Sequence, residues 1–139
     1  MNRNLLKKLH WYGGIILFLT FLLTGMFMHF YQNHLQGMDD AIRMQYRSIH
    51  IYILFSSLLH IVIGAFVRFS MFDLFRAIQF FGSFLLFSGA VLIVIGFFTE
   101  IPVADELERP LTRYGLYSAL GGTIFLIFPQ FIRKNKNIN

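Results

Sequence analysis

The chain has 139 residues, 56% of them hydrophobic and only 14% charged, with a formal net charge of +5 and no cysteine. So few polar side chains cannot coat a water-soluble domain of this size, and the missing thiols exclude disulfides, cysteine-ligated clusters and c-type haem attachment. The positive charge calls for no nucleic-acid partner, because it gathers at the ends of apolar segments, where anionic lipid headgroups account for it.

Four charge-poor segments follow one another at 11–31, 48–67, 77–99 and 114–132. Each has about the 20 residues that carry a helix across roughly 30 Å of hydrocarbon. They are apolar on every side instead of alternating, which favours helices over strands. The prediction is one all-α domain, 1–139: an integral membrane four-helix bundle.

The first segment follows Arg3, Lys7 and Lys8, as a secretory signal would. Its apolar run exceeds the roughly 7 to 15 residues of such signals, and Met28, His29, Phe30 and Tyr31 are bulky where cleavage needs small residues, so it is expected to stay. At its start His10 stands beside Trp11 and Tyr12 and reads as an interfacial residue of an aromatic belt. The outer loop 32–47 contains Asp39, Asp40, Arg43 and Arg47. After the second segment comes RFSMFDLFR, in which Phe69, Phe72 and Phe75 recur every third residue; this pattern predicts a short interfacial helix in the inner loop, 68–76.

On the third segment Gly82, Gly89 and Gly96 fall seven apart, close to two turns, so they form a nearly straight groove. On the fourth, Gly115 and Ala119, and likewise Ser118 and Gly122, are four apart. Small residues at these spacings let membrane helices approach closely, which makes both sets packing residues. Basic residues set the orientation. Arg3, Lys7, Lys8, Arg68, Arg76, Arg133, Lys134 and Lys136 lie on one side, against Arg43, Arg47, Arg109 and Arg113 on the other. The positive-inside rule then puts both termini in the cytoplasm, in what reads as a bacterial inner membrane.

Ionisable residues inside a membrane are candidate sites, because burial there needs a partner. Counted from the outer ends of the apolar segments, His29 and His50 both lie about 3 Å below the boundary on antiparallel helices. Two imidazoles at one level are what a bis-histidine haem b or a metal ion requires, and Arg43 and Arg47 stand nearby to offset propionate charge. A zinc or copper site drawing on His29, His34, Asp39, Asp40 and His50 uses the same region. His60 lies about 18 Å down, level with Thr20, which predicts a Thr20–His60 hydrogen bond; Thr24 and Ser56 likewise share a depth. His50 and His60 project some 80° apart, so two stacked haems on one helix are not expected.

Four helices with histidines at the outer level resemble, in outline, small b-type cytochromes and the membrane-anchor subunits of respiratory complexes. That resemblance implies haem b and electron transfer, though the third and fourth segments lack the further histidines of multi-haem members. There is no serine–histidine–acid spacing, no phosphate loop and no carboxylate pair within a span, so no other enzyme chemistry is indicated. The sequence reading is a non-catalytic membrane protein, a binding or accessory subunit surrounded by lipid and partnered by other membrane subunits or its own copies. Its alternative is a small b-type cytochrome with one haem on His29 and His50.

Overall fold

A computed structural model describes residues 3–70, 73–100 and 109–135. Four helices make up almost all of them: α1 (Arg3–Phe30), α2 (Asp40–Phe66), α3 (Asp73–Thr99) and α4 (Pro110–Asn135), with a single 3-10 turn at Asn33–Leu35. No strand occurs among the described residues. The helices α1, α2 and α3 are long and apolar enough to cross a membrane.

The helices begin before their apolar segments, and at α2, α3 and α4 flanking polar residues cap or pair the first turn. Asp39 accepts a hydrogen bond from Ala41 N at 2.7 Å and so starts α2 eight residues before the apolar run. Asp40 and Arg43 then form an ion pair one turn apart. The sixteen-residue outer loop thereby shrinks to a short connection. Asp73 and Arg76 pair in the same way in the first turn of α3. At α4, Pro110 takes the first helical position, where a missing N–H costs nothing. The carboxylate of Glu100, at the end of α3, accepts from Leu111 N at 2.5 Å, Thr112 N at 3.1 Å and the Thr112 hydroxyl at 2.6 Å. One acid thus caps the next helix and joins the two.

The interfacial helix expected over 68–76 does not form among the described residues. Val67 to Ser70 are non-helical, 73–76 is the opening turn of α3, and Phe72 lies outside the described residues. Phe69 is 4% exposed and packs into the bundle, so the threefold phenylalanine pattern does not define a surface face. Gln79 holds this connection in place. Its Oε1 accepts from Ser70 N at 2.7 Å, and its Nε2 donates to the carbonyls of Arg68 and Leu126 at 3.3 and 3.2 Å.

The helices pack chiefly as two antiparallel pairs, α1 with α2 and α3 with α4, with α2 also against α3. The end where α1 begins carries Lys7, Lys8, Arg68 and Arg76 and is called the basic end here; the other is the far end. Two apolar clusters fill the interior. Leu6, Ile63, Val67, Phe69, Leu86, Ala119 and Leu126 pack toward the basic end. Leu35, Tyr46, Ile49, Ile53, Ile93 and Phe97 pack toward the far end. On α2 the two clusters are separated by polar residues, Ser56, Ser57 and His60, all fully buried.

Candidate functional site: a buried histidine chain across three helices

The site is made possible by glycine. A Cβ at Gly14 of α1 would lie 2.8 Å from Ile61 N and 3.0 Å from Ser57 O on α2. One at Gly64 of α2 would lie 2.7 Å from Trp11 N on α1. The two backbones therefore touch, and Ser57 Oγ donates to Gly14 O at 2.9 Å. This contact sets the register of the hairpin and brings His10 opposite His60.

Both imidazoles are fully buried, with their Nδ1 atoms 3.0 Å apart. His10 Nε2 lies 3.0 Å from Ser83 Oγ on α3, so three helices meet at one point. Phe87 of α3 lies against both rings, at centroid distances of 4.9 and 4.3 Å, and Phe69 stacks on His10 at 6.2 Å. His60 Nε2 has no hydrogen-bond partner of good geometry, but it faces the backbone of Leu86.

The tautomers follow from satisfying the most atoms, since hydrogen positions are inferred from the network. If Ser83 donates to Gln79 O, 2.9 Å away, then His10 donates through Nε2, His60 donates through Nδ1, and His60 Nε2 points a lone pair at a carbonyl. If Ser83 donates to His10 Nε2 instead, His10 donates from Nδ1 to His60 and His60 Nε2–H points at Leu86. The second order leaves no buried lone pair opposed to another. It is a neutral, one-way chain, Ser83 to His10 to His60, needing no buried charge. Such a chain can clasp helices, and it relays a proton only by reversing every donor in it.

Nearer the far end, Thr24 Oγ1 lies 3.0 Å from His50 Nδ1. His50 stacks on Phe21, with centroids 4.1 Å apart, and Gly25 leaves room for it: a Cβ there would lie 3.2 Å from His50 Cε1. His50 is therefore level with Thr24 and Gly25, whereas His29 is four to five residues farther along α1, or about 6 to 7.5 Å. His29 is exposed and lies against Phe30 and His34. The bundle does not oppose His29 to His50.

Thr20 bonds its own helix, at Ile16 O, 3.0 Å away, and is not the partner of His60. The reason is the register. Depth counted from apolar boundaries assumes that both helices meet the surface at the ends of their apolar runs, and α2 instead begins at Asp40. Thr24 meets His50, and Ser56 Oγ is buried without a partner, so these two do not form a pair. Arg43 pairs with Asp40, Arg47 is exposed without an ion pair among the described residues, and Asp39 caps α2. The second outer loop also holds acids that could pair with these arginines, but Glu100 caps α4, and Asp105, Glu106 and Glu108 lie outside the described residues. No group of three or more histidine or acidic side chains converges on a metal position among the described residues.

The glycine groove of α3 faces α4. A Cβ at Gly82 would lie 2.8 Å from Gly122 O, and one at Gly89 would lie 2.5 Å from Gly115 O and 2.8 Å from Ala119 N. Gly96 meets Thr112 and Glu100, and Ser118 Oγ donates to Leu85 O at 2.8 Å.

The histidines do not fit a haem in this arrangement. Two axial imidazoles need a porphyrin plane between them, whereas His10 and His60 bond each other directly beside touching backbones. His50 is turned to Thr24 and covered by Phe21. Compared with family models, curated proteins and solved structures, the chain matches none.

Sequence reasoning overlooked His10, Ser83 and Gln79 as interior partners. His10 stood just before the apolar run and was read as interfacial. The signal available was the string LHWYGG: two glycines after a histidine mark a close helix contact within one turn of it.

Proposed function

We propose that this chain is a multi-pass membrane protein of a bacterial inner membrane, spanning it four times as a bundle with both termini cytoplasmic, and that it acts without catalysis, as an accessory or binding subunit of a membrane assembly. The observation that carries the non-catalytic reading is the histidine chain. His10, His60 and Ser83 are spent on one another across three helices, beside the backbone contact of α1 with α2. Burial of neutral imidazoles is tolerable in hydrocarbon when they hydrogen-bond in this way. The membrane reading is supported by surfaces that only hydrocarbon or another apolar partner would cover, such as Leu23, Phe84 and Ile124, each more than 60% exposed.

The test is made on protein purified in a mild detergent from cells supplied with a haem precursor. The reading expects a colourless preparation in an assembly heavier than the 16.3 kDa chain. A Soret band lost in the His29→Ala, His50→Ala double variant would establish the b-type cytochrome instead. A strictly monomeric chain with nothing co-purifying would refute the accessory role. Reporter fusions that place the C-terminus outside the cytoplasm would overturn the orientation.

A further inference from the structure

The far-end turn holds a second histidine pair that neither the helix packing nor the buried chain uses. His29 is in the last turn of α1 and His34 is in the 3-10 turn that follows, and their ring centroids are 3.9 Å apart at 73°. Both side chains are exposed, so water reaches them and their rotamers are free to adjust.

The path that brings them together is an uncomfortable one. Asn33, His34 and Leu35 adopt positive φ angles of 43°, 57° and 62°, a left-handed course that L-residues with side chains avoid. Leu35 anchors it, 3% exposed in the far-end cluster, and Leu35 N and Gln36 N bond back to Gln32 O and Asn33 O at 2.7 and 3.0 Å. The chain thereby folds back on the end of α1 and places His34 on His29.

We propose that this turn binds a divalent transition ion, copper(II) before zinc(II), through the imidazoles of His29 and His34. Imidazole nitrogen suits copper, nickel and zinc and discriminates against magnesium and calcium, which prefer oxygen. Two nitrogens with no third protein ligand among the described residues leave the remaining positions to water, and among first-row divalent ions copper(II) gains most from such a set. The edge-to-face geometry keeps the rings within a side-chain rotation of sharing one ion, which needs metal–nitrogen distances near 2.0 Å. The site replaces His50 by His34 as the partner of His29, and it is independent of whether the protein is an accessory subunit.

The test uses the full chain without a histidine tag, in detergent, titrated with copper(II) sulfate and followed by calorimetry and electron paramagnetic resonance. One equivalent binds at pH 7.5, with a spectrum split by two nitrogens. His29→Gln and His34→Gln each weaken binding roughly tenfold or more, at least the loss seen when a supporting group of a metal site is removed. His50→Gln leaves it unchanged. Copper binding of undiminished affinity in the His29→Gln, His34→Gln double variant would overturn the proposal, as would the absence of saturable binding. Tighter binding of zinc than of copper would overturn the choice of ion.

Discussion

Between α3 and α4 the contact is backbone against backbone: Gly82 on Gly122, and Gly89 on Gly115 and Ala119. Between α1 and α2 the backbones touch around Gly14 and Gly64, and the seam also carries imidazoles and hydroxyls, His10 with His60 and His50 with Thr24. The first pair is drawn close by glycine, is bridged at intervals by Gln79, Glu100 and Ser118, and has no tolerance for added volume at Gly82 or Gly89. The second is held by directional bonds, each modest in worth because separated helices find other partners. Glycine packing therefore fixes how close α3 and α4 lie, while hydrogen bonds fix how α1 is rotated and shifted on α2. A substitution that adds bulk should hurt the first seam most, and one that removes a polar atom should hurt the second.

The largest effect is expected for Gly89→Leu. Its side chain would start 2.5 Å from Gly115 O, in a place where no flexible group can yield. The α3–α4 pair should open, at a cost of about 3 kcal/mol or more, at or beyond the upper end of overpacking. Thermal unfolding in detergent reads this directly, and a loss below 1 kcal/mol would mean that the helices are not in contact there. Next is Gln79→Leu, which removes three bonds to the connection and to α4. A loss of about 2 kcal/mol is expected, since these are backbone partners in the interior.

In the polar seam, Ser83→Ala and His60→Leu should each cost about 1 kcal/mol, with the His10–His60 interaction appearing as a coupling of similar size in a double-mutant cycle. Additive single variants would deny the contact. Smallest of all is Gly121→Ala, at a helical glycine with nothing within 4 Å of the added methyl. It should be neutral or stabilise by about 0.5 kcal/mol through helix propensity, which marks the glycines of the seam as special by position.

The helical class and the glycine spacings were legible in the sequence because they depend on composition and on the helical repeat alone. Register was not. The apolar runs end where charges begin, but the helices end where caps allow, and Asp39 carries α2 out to Asp40. The close contact at Gly14 and Gly64 then sets α1 against α2 and puts His60 beside His10, not Thr20. The proximity of His29 to His34 was equally hidden, because it depends on three left-handed residues that no preference of Asn, His or Leu announces together. Residue type showed which side chains need partners; only close backbone contact decides which partners they get.

The central claim is the α1–α2 register that joins His10 to His60, and the absence of native cysteine makes it directly measurable. A Cβ at Gly64 would lie 2.7 Å from Trp11 N and 3.0 Å from Trp11 Cα, so cysteines at 11 and 64 face each other at the closest approach of the two helices, and a backbone shift of about 1 Å seats a disulfide between them. Oxidation of the Trp11→Cys, Gly64→Cys variant in membranes should give rapid, near-complete intramolecular cross-linking. The Ile15→Cys, Gly64→Cys variant, matched by depth from the apolar boundaries, should remain reduced. Cross-linking of the second pair in preference to the first would contradict the register and, with it, the histidine chain.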